Sequence, residues 1–93
     1  MKLTELNNYV ENLDNLTKIE ATVELNEFGN FYVMKTKETY VYEDEDLADN
    51  KVDYARQHSG FAGVEKKYKQ GKMNKAGEIV KPETWTVVVK LNH

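Results

Sequence analysis

Lys18-Ile19-Glu20-Ala21-Thr22-Val23-Glu24-Leu25-Asn26-Glu27-Phe28-Gly29-Asn30-Phe31-Tyr32-Val33-Met34 is the stretch that decides the fold. Ile19, Ala21, Val23 and Leu25 alternate with Glu20, Thr22 and Glu24, so one row of side chains faces a core and the other faces water. The run Asn26 to Asn30 interrupts the alternation, and its Gly-Asn pair supplies the positive φ that a tight hairpin turn needs. A strand over 18–25 should therefore pair antiparallel with a second strand running from Phe31 to about Tyr42. Both faces of that second strand carry large apolar side chains, among them Phe31, Tyr32, Val33, Met34, Tyr40, Val41 and Tyr42. This predicts a central strand, or a strand with one face left open for a partner.

Upstream, Leu3, Leu6, Val10 and Leu13 recur at the three-and-four spacing of an amphipathic helix, which predicts a helix over about 2–14. Downstream, Glu43-Asp44-Glu45-Asp46 places carboxylates where the positive end of a helix dipole would begin. Leu47, Ala48, Val52, Tyr54 and Ala55 then form a helical stripe that ends near Ser59-Gly60. A strand is expected over Val64–Gln70, then a loop marked by Gly71, Asn74 and Gly77, then a last strand over Thr84–Leu91. In that last strand Trp85, Val87, Val89 and Leu91 face the core, and Pro82 precedes it where a missing N–H does least harm. The order is α-β-β-α-β-β in one α+β domain over 1–93. One antiparallel four-stranded sheet with two helices packed on one face satisfies it, because two helices of this length cannot cover both faces.

Ninety-three residues suit one modest core, burying roughly 60 to 65% of the unfolded surface. Cysteine is absent, which excludes disulfides and thiolate metal sites and favours the cytoplasm. The opening residues lack the apolar run of a signal peptide, and Val87-Val88-Val89 is too short to span a bilayer, so no membrane partner is expected. Arg56 is the only arginine against twelve lysines, so bidentate reading of guanine or phosphate is poorly provided for. The Lys-, Asn- and Glu-rich composition matches an AT-rich coding source, of the kind that carries accessory proteins of mobile elements.

Charge is polarised along the chain. Residues 1–53 hold 13 acidic residues against 5 lysines, a balance of −8, and residues 54–93 hold 8 basic residues against 3 glutamates, a balance of +5, which together make the net −3. Such asymmetry points to a partner surface or to self-association. Glu43, Asp44, Glu45, Asp46, Asp49 and Asp53 form an acidic strip. Aligned as a calcium loop from Asp44, it fails at Ala48, Asp49 and Ala55, where a ligand, a glycine and a bidentate glutamate are needed, so no metal is expected. The strip could instead imitate a phosphate backbone towards a basic groove, with Glu20 and Glu24 extending it.

The basic block Lys66, Lys67, Lys69, Lys72 and Lys75, interleaved with Tyr68, suits salt-sensitive phosphate contact with stacking on a base. It also suits a lysine-rich edge strand that resists edge-to-edge pairing. Catalysis has little to use: Ser59 is the only serine, His58 is its chain neighbour, and His93 is the last residue given. Neither a catalytic residue nor a cofactor is expected. The leading expectation is a non-enzymatic domain that binds a partner protein, as an inhibitor or regulator, through the acidic strip and an open sheet face bearing Tyr32, Tyr40 and Tyr42. The alternatives are a weak nucleic-acid binder using the lysine-rich hairpin, and a homodimer in which acidic and basic halves meet.

Overall fold

Short-range sequence preferences set where each element starts and stops. In the computed structural model, which describes residues 1–93, a 3-10 turn at Leu3–Glu5 leads into helix α1 at Leu6–Glu11, shorter than the 2–14 expected. Asparagine ends it early: the Asn12 side chain donates to the Asn8 carbonyl at 2.8 Å. Asn15 takes a left-handed φ of 66°, which asparagine tolerates better than most residues. Its side chain also donates to the Val41 carbonyl at 3.0 Å, tying the turn to the sheet. Strand β1 then spans Leu16–Leu25 and β2 spans Phe31–Tyr42, joined by the expected hairpin with Gly29 at φ 80°.

Helix α2 covers Glu45–Arg56, and the Asp44 carboxylate caps it by accepting from the Asp46 N–H at 2.8 Å. Strand β3 runs Phe61–Lys69 and begins three residues before the expected Val64, because Phe61 already pairs with Leu91 across an irregularity at Ala62. The segment expected to be a loop carries a small ribbon, β4 at Lys72–Met73 with β5 at Ile79–Lys81, closed by a turn in which Gly77 has φ 78°. The last strand, β6, covers Thr84–Asn92.

The main sheet is antiparallel with order β1-β2-β6-β3, and both helices pack on one of its faces. On that covered face Tyr40, Tyr42, Val87, Val89 and Leu91 meet Ala48 and Ala55 of α2, with Leu13, Leu16, Val52, Val64 and Trp85 around them. Only ten of the 93 residues are buried, so stability rests on few side chains. The molecule is 62 × 22 × 17 Å with a radius of gyration of 16.5 Å, against about 12 Å for a compact chain of this length. The excess length comes from the β1-β2 hairpin and the β4-β5 ribbon, which project from opposite ends of the sheet. No helix is long and apolar enough to cross a membrane.

One irregularity corrects the expected tyrosine face. Thr22 pairs with Lys35 but Val23 pairs with Val33, leaving Met34 as an extra residue in β2. A bulge of this kind reverses the alternation of everything beyond it. Tyr32 therefore lies on the open face, paired with Glu24, whereas Tyr40 and Tyr42 lie on the covered face and are buried. The three tyrosines do not share a surface.

Candidate functional site

Helix α2 carries the acidic strip, and its 100° step per residue sorts the carboxylates by direction. Ala48, Val52 and Ala55 point to the sheet. Glu45 and Asp49 lie on the flank towards β3, where the Lys66 ammonium bonds Glu45 Oε1 at 3.0 Å and Asp49 Oδ1 at 2.5 Å. The acidic and basic halves of the chain thus meet within one molecule at this point. Asp46, Asn50 and Asp53 point away from the sheet, bordered by Leu47, which is 51% exposed, and Tyr54, which is 71% exposed. Glu43, Asp46 and Asp53 make no ion pair, and Asp44 serves as the helix cap. Two large apolar side chains seven residues apart, rimmed by free carboxylates, make an exposed amphipathic ridge. Glu20 and Glu24 do not extend it, because they project from the open face with the sheet between them and α2.

The basic residues are dispersed. Lys66 is engaged by α2, and the Tyr68 hydroxyl donates to Glu83 at 2.8 Å while its ring packs on Trp85 at 5.4 Å, both on the covered face. Lys67 and Lys69 project from the open face, and Lys72 and Lys75 lie in the β4-β5 ribbon and its turn. Tyr68 is therefore held by its own chain rather than presented beside a row of cations.

A cluster that the sequence did not announce lies beneath α1. Thr36 and Glu38 share the covered row of β2 with Tyr40, and Glu38 is 1% exposed. Its Oε1 accepts from the Tyr40 hydroxyl at 2.5 Å, and its Oε2 accepts from the Tyr9 hydroxyl at 2.5 Å and the Thr36 hydroxyl at 2.7 Å. Because Thr36 spends its proton on Glu38, the contact of 2.7 Å with His93 Nε2 places the imidazole proton on that nitrogen. The His93 ring also meets Tyr9 edge-on at 5.3 Å. No buried polar side-chain atom in the protein lacks a partner. Above Glu38 opens a cleft of about 560 Å³ between α1 and α2, lined by Tyr9, Leu13, Tyr42, Lys51, Tyr54 and His58 among others.

The Lys51 ammonium sits 4.0 Å above the Tyr40 ring, and its burial holds its pKa below the usual lysine value, opposed by the charge of Glu38. Burial likewise lowers the pKa of His93. The oxygens of Glu38 are directed at hydroxyls of the same chain, so the cluster acts as a latch between α1, the sheet and the last residue of β6's extension. No three acidic or histidine side chains converge on a common point.

Burial first, and then hydrogen bonding to Glu38, raises the pKa of Tyr9 and Tyr40 well above 10.0. Unfolded tyrosines ionise around pH 10.0 and these two only above it, so the stability they contribute is complete below pH 10 and falls as the pH rises further. A tyrosinate absorbance titration should show at least two of the six tyrosines ionising only as the far-ultraviolet dichroism is lost. Ionisation of all six near pH 10 with the fold intact would refute the latch. Comparison with protein-family models, with curated proteins and with solved structures found no match.

Proposed function

We propose that the chain is a non-enzymatic protein-binding domain, an inhibitor or regulator that presents the outer ridge of α2 to a basic surface on a partner protein. The observation that supports this reading is that exposed Leu47 and Tyr54 stand on α2 next to Asp46 and Asp53, neither of which has an ion-pair partner. Protein interfaces are built from an apolar, often aromatic, centre inside a polar rim, and a tyrosine that gives up water on docking is a common anchor. The rim charges would speed encounter and select a basic partner more than they would add affinity. The aromatic anchor of this surface is Tyr54, since Tyr40 and Tyr42 are core residues and Tyr32 lies on the opposite face of the sheet.

The test uses the full chain immobilised as bait, comparing wild type with the triple variant Asp46→Lys, Asp53→Lys, Tyr54→Ala. These positions avoid Glu45 and Asp49, whose carboxylates are engaged by Lys66. The expected result is at least a tenfold loss of captured partner, because an anchor residue alone is worth about 2 kcal/mol or more. The melting temperature should stay within a few degrees, as surface changes cost about 0.5 kcal/mol or less. Equal capture by a folded triple variant would refute the ridge as the binding surface.

A further inference from the structure

The face of the sheet turned away from the helices is basic, with two of its lysines set directly opposite each other. Lys18, Lys35, Lys37, Lys67, Lys69 and Lys90 all project from it. Lys37 and Lys90 are direct cross-strand partners, and Lys35 lies one rung away opposite Asn92. Directly opposed side chains stand about 5 Å apart at Cβ, where like charges are destabilising. Three carboxylates share this face with the six lysines: Glu20, bonded to Lys18 at 3.1 Å and directly opposite Lys37; Glu65, 3.8 Å from Lys67; and Glu24, opposite Tyr32, so the face is left net basic. Neither Lys35, Lys37 nor Lys90 has an ion-pair partner.

Position 63 adds to the effect. The residue of β3 beside Lys90 is Gly63, so the patch has a bare backbone floor next to its central cation. A Cβ there would only touch the Lys90 Cδ, at 3.9 Å, so the absence of a side chain leaves the surface flat without being forced by crowding. On the covered face, by contrast, Lys66 is held by two carboxylates. On the open face Lys35 and Lys90 have no acidic cross-strand partner, and Lys37 stands between Glu20 on one side and Lys90 on the other.

We infer that the open sheet face, centred on Lys35, Lys37 and Lys90, is a docking surface for the phosphate backbone of nucleic acid. Charge complementarity selects this occupant, since closely spaced cations on a flat surface match a chain of closely spaced phosphates and gain by counterion release. Tyr32 is the one aromatic side chain on this face and no arginine lies there, so the surface has neither a stacking platform nor a bidentate base reader. Binding is therefore sequence-indifferent and made to phosphates. A second copy of the chain fits less well, because the Leu47 and Tyr54 ridge of α2 would set its apolar centre on lysines and threonines. This inference does not depend on the α2 ridge, whose residues lie on the other side of the sheet.

Fluorescence anisotropy of the full chain with a labelled mixed-sequence duplex and a labelled single strand tests it. Three phosphate contacts predict that duplex affinity falls about 40-fold between about 50 and about 200 mM salt. The variant Lys35→Gln, Lys37→Gln, Lys90→Gln should lose at least tenfold in affinity and most of that salt dependence while melting within a few degrees of wild type, since it removes the Lys37–Lys90 repulsion together with the Lys37–Glu20 attraction. The control Lys72→Gln, Lys75→Gln should bind as wild type does. Absence of binding to both probes at low salt would overturn the inference. So would equal loss in the control, or light scattering that shows self-association of wild type abolished by the sheet-face variant.

Discussion

Glu38→Ala should lower the unfolding free energy by about 3 to 5 kcal/mol, and for a chain of this size that corresponds to a fall in melting temperature of about 12 °C or more. The substitution removes one acceptor that serves three hydroxyls at once, those of Tyr9, Tyr40 and Thr36. Tyr40 is fully buried and Thr36 nearly so, so water cannot replace the carboxylate without opening the core. A buried donor left without a partner costs about 1 to 3 kcal/mol, and the missing side chain adds a cavity. The whole stability of a small domain is about 5 to 15 kcal/mol, so the variant approaches the limit of folding. Tyr9→Phe removes a single donor and should cost much less. The combination Glu38→Leu, Tyr9→Phe, Tyr40→Phe replaces the acceptor and two of its donors by apolar groups and should recover part of the loss. Urea unfolding of the series checks this. A Glu38→Ala variant within about 1 kcal/mol of wild type would mean that the hydroxyls are readily resolvated and the latch holds nothing.

Gly60→Ala should be the most damaging single methyl group in the chain, with an expected loss of about 3 kcal/mol, at the upper end for overpacking. Gly60 lies between α2 and β3, where its carbonyl accepts from the Asn92 N–H at 2.6 Å and its own N–H donates to His58 Nδ1 at 3.0 Å. A Cβ at this position would overlap the carbonyl oxygen of Asn92 and lie 2.9 Å from its carbonyl carbon. The obstacle is backbone, which cannot swing aside as a side chain can. The start of β3 would have to part from the end of β6, and with it the Phe61–Leu91 pairing. Gly29 gives the contrast. Its φ is +80° and a Cβ there meets nothing within 4 Å, so Gly29→Asn, which tolerates that conformation, should be close to neutral. Chemical denaturation midpoints that rank the two variants in the opposite order would contradict the close approach.

Local order was legible in the sequence wherever one residue's neighbours along the chain decide its state. The β1 strand, the Gly29-Asn30 turn and the inward row Trp85, Val87, Val89, Leu91 are found as read, whereas of the α2 stripe only Ala48, Val52 and Ala55 face the sheet, and in β1 the far residues Val23 and Leu25 extend beyond the core and are exposed. Patterns of period two or 3.6 are imposed by backbone geometry on each element separately. The α-β-β-α-β-β order then leaves few ways to bury those rows, and the antiparallel sheet with helices on one face follows. The β4-β5 ribbon was missed because strands of two and three residues are too short to show a period.

The candidate sites depended on pairings between distant segments. The acidic strip could be read, but not that Lys66 neutralises Glu45 and Asp49 while Asp46 and Asp53 stay free, since 17 and 21 residues separate those partners along the chain. The Glu38 latch had one local signal, a glutamate in the same alternate row as Tyr40 and Tyr42. One of its donors, Tyr9, comes from 29 residues away. By itself the sequence determined the main helices and strands, their order and the polarity of charge. Tertiary structure alone decided which faces those charges occupy, because the bulge at Met34 reverses the side-chain phase midway along β2 and strand register sets Lys37 against Lys90. A one-residue slip in pairing exchanges the two faces of a sheet, and such slips are settled by the sum of cross-strand contacts rather than by any residue's own preference.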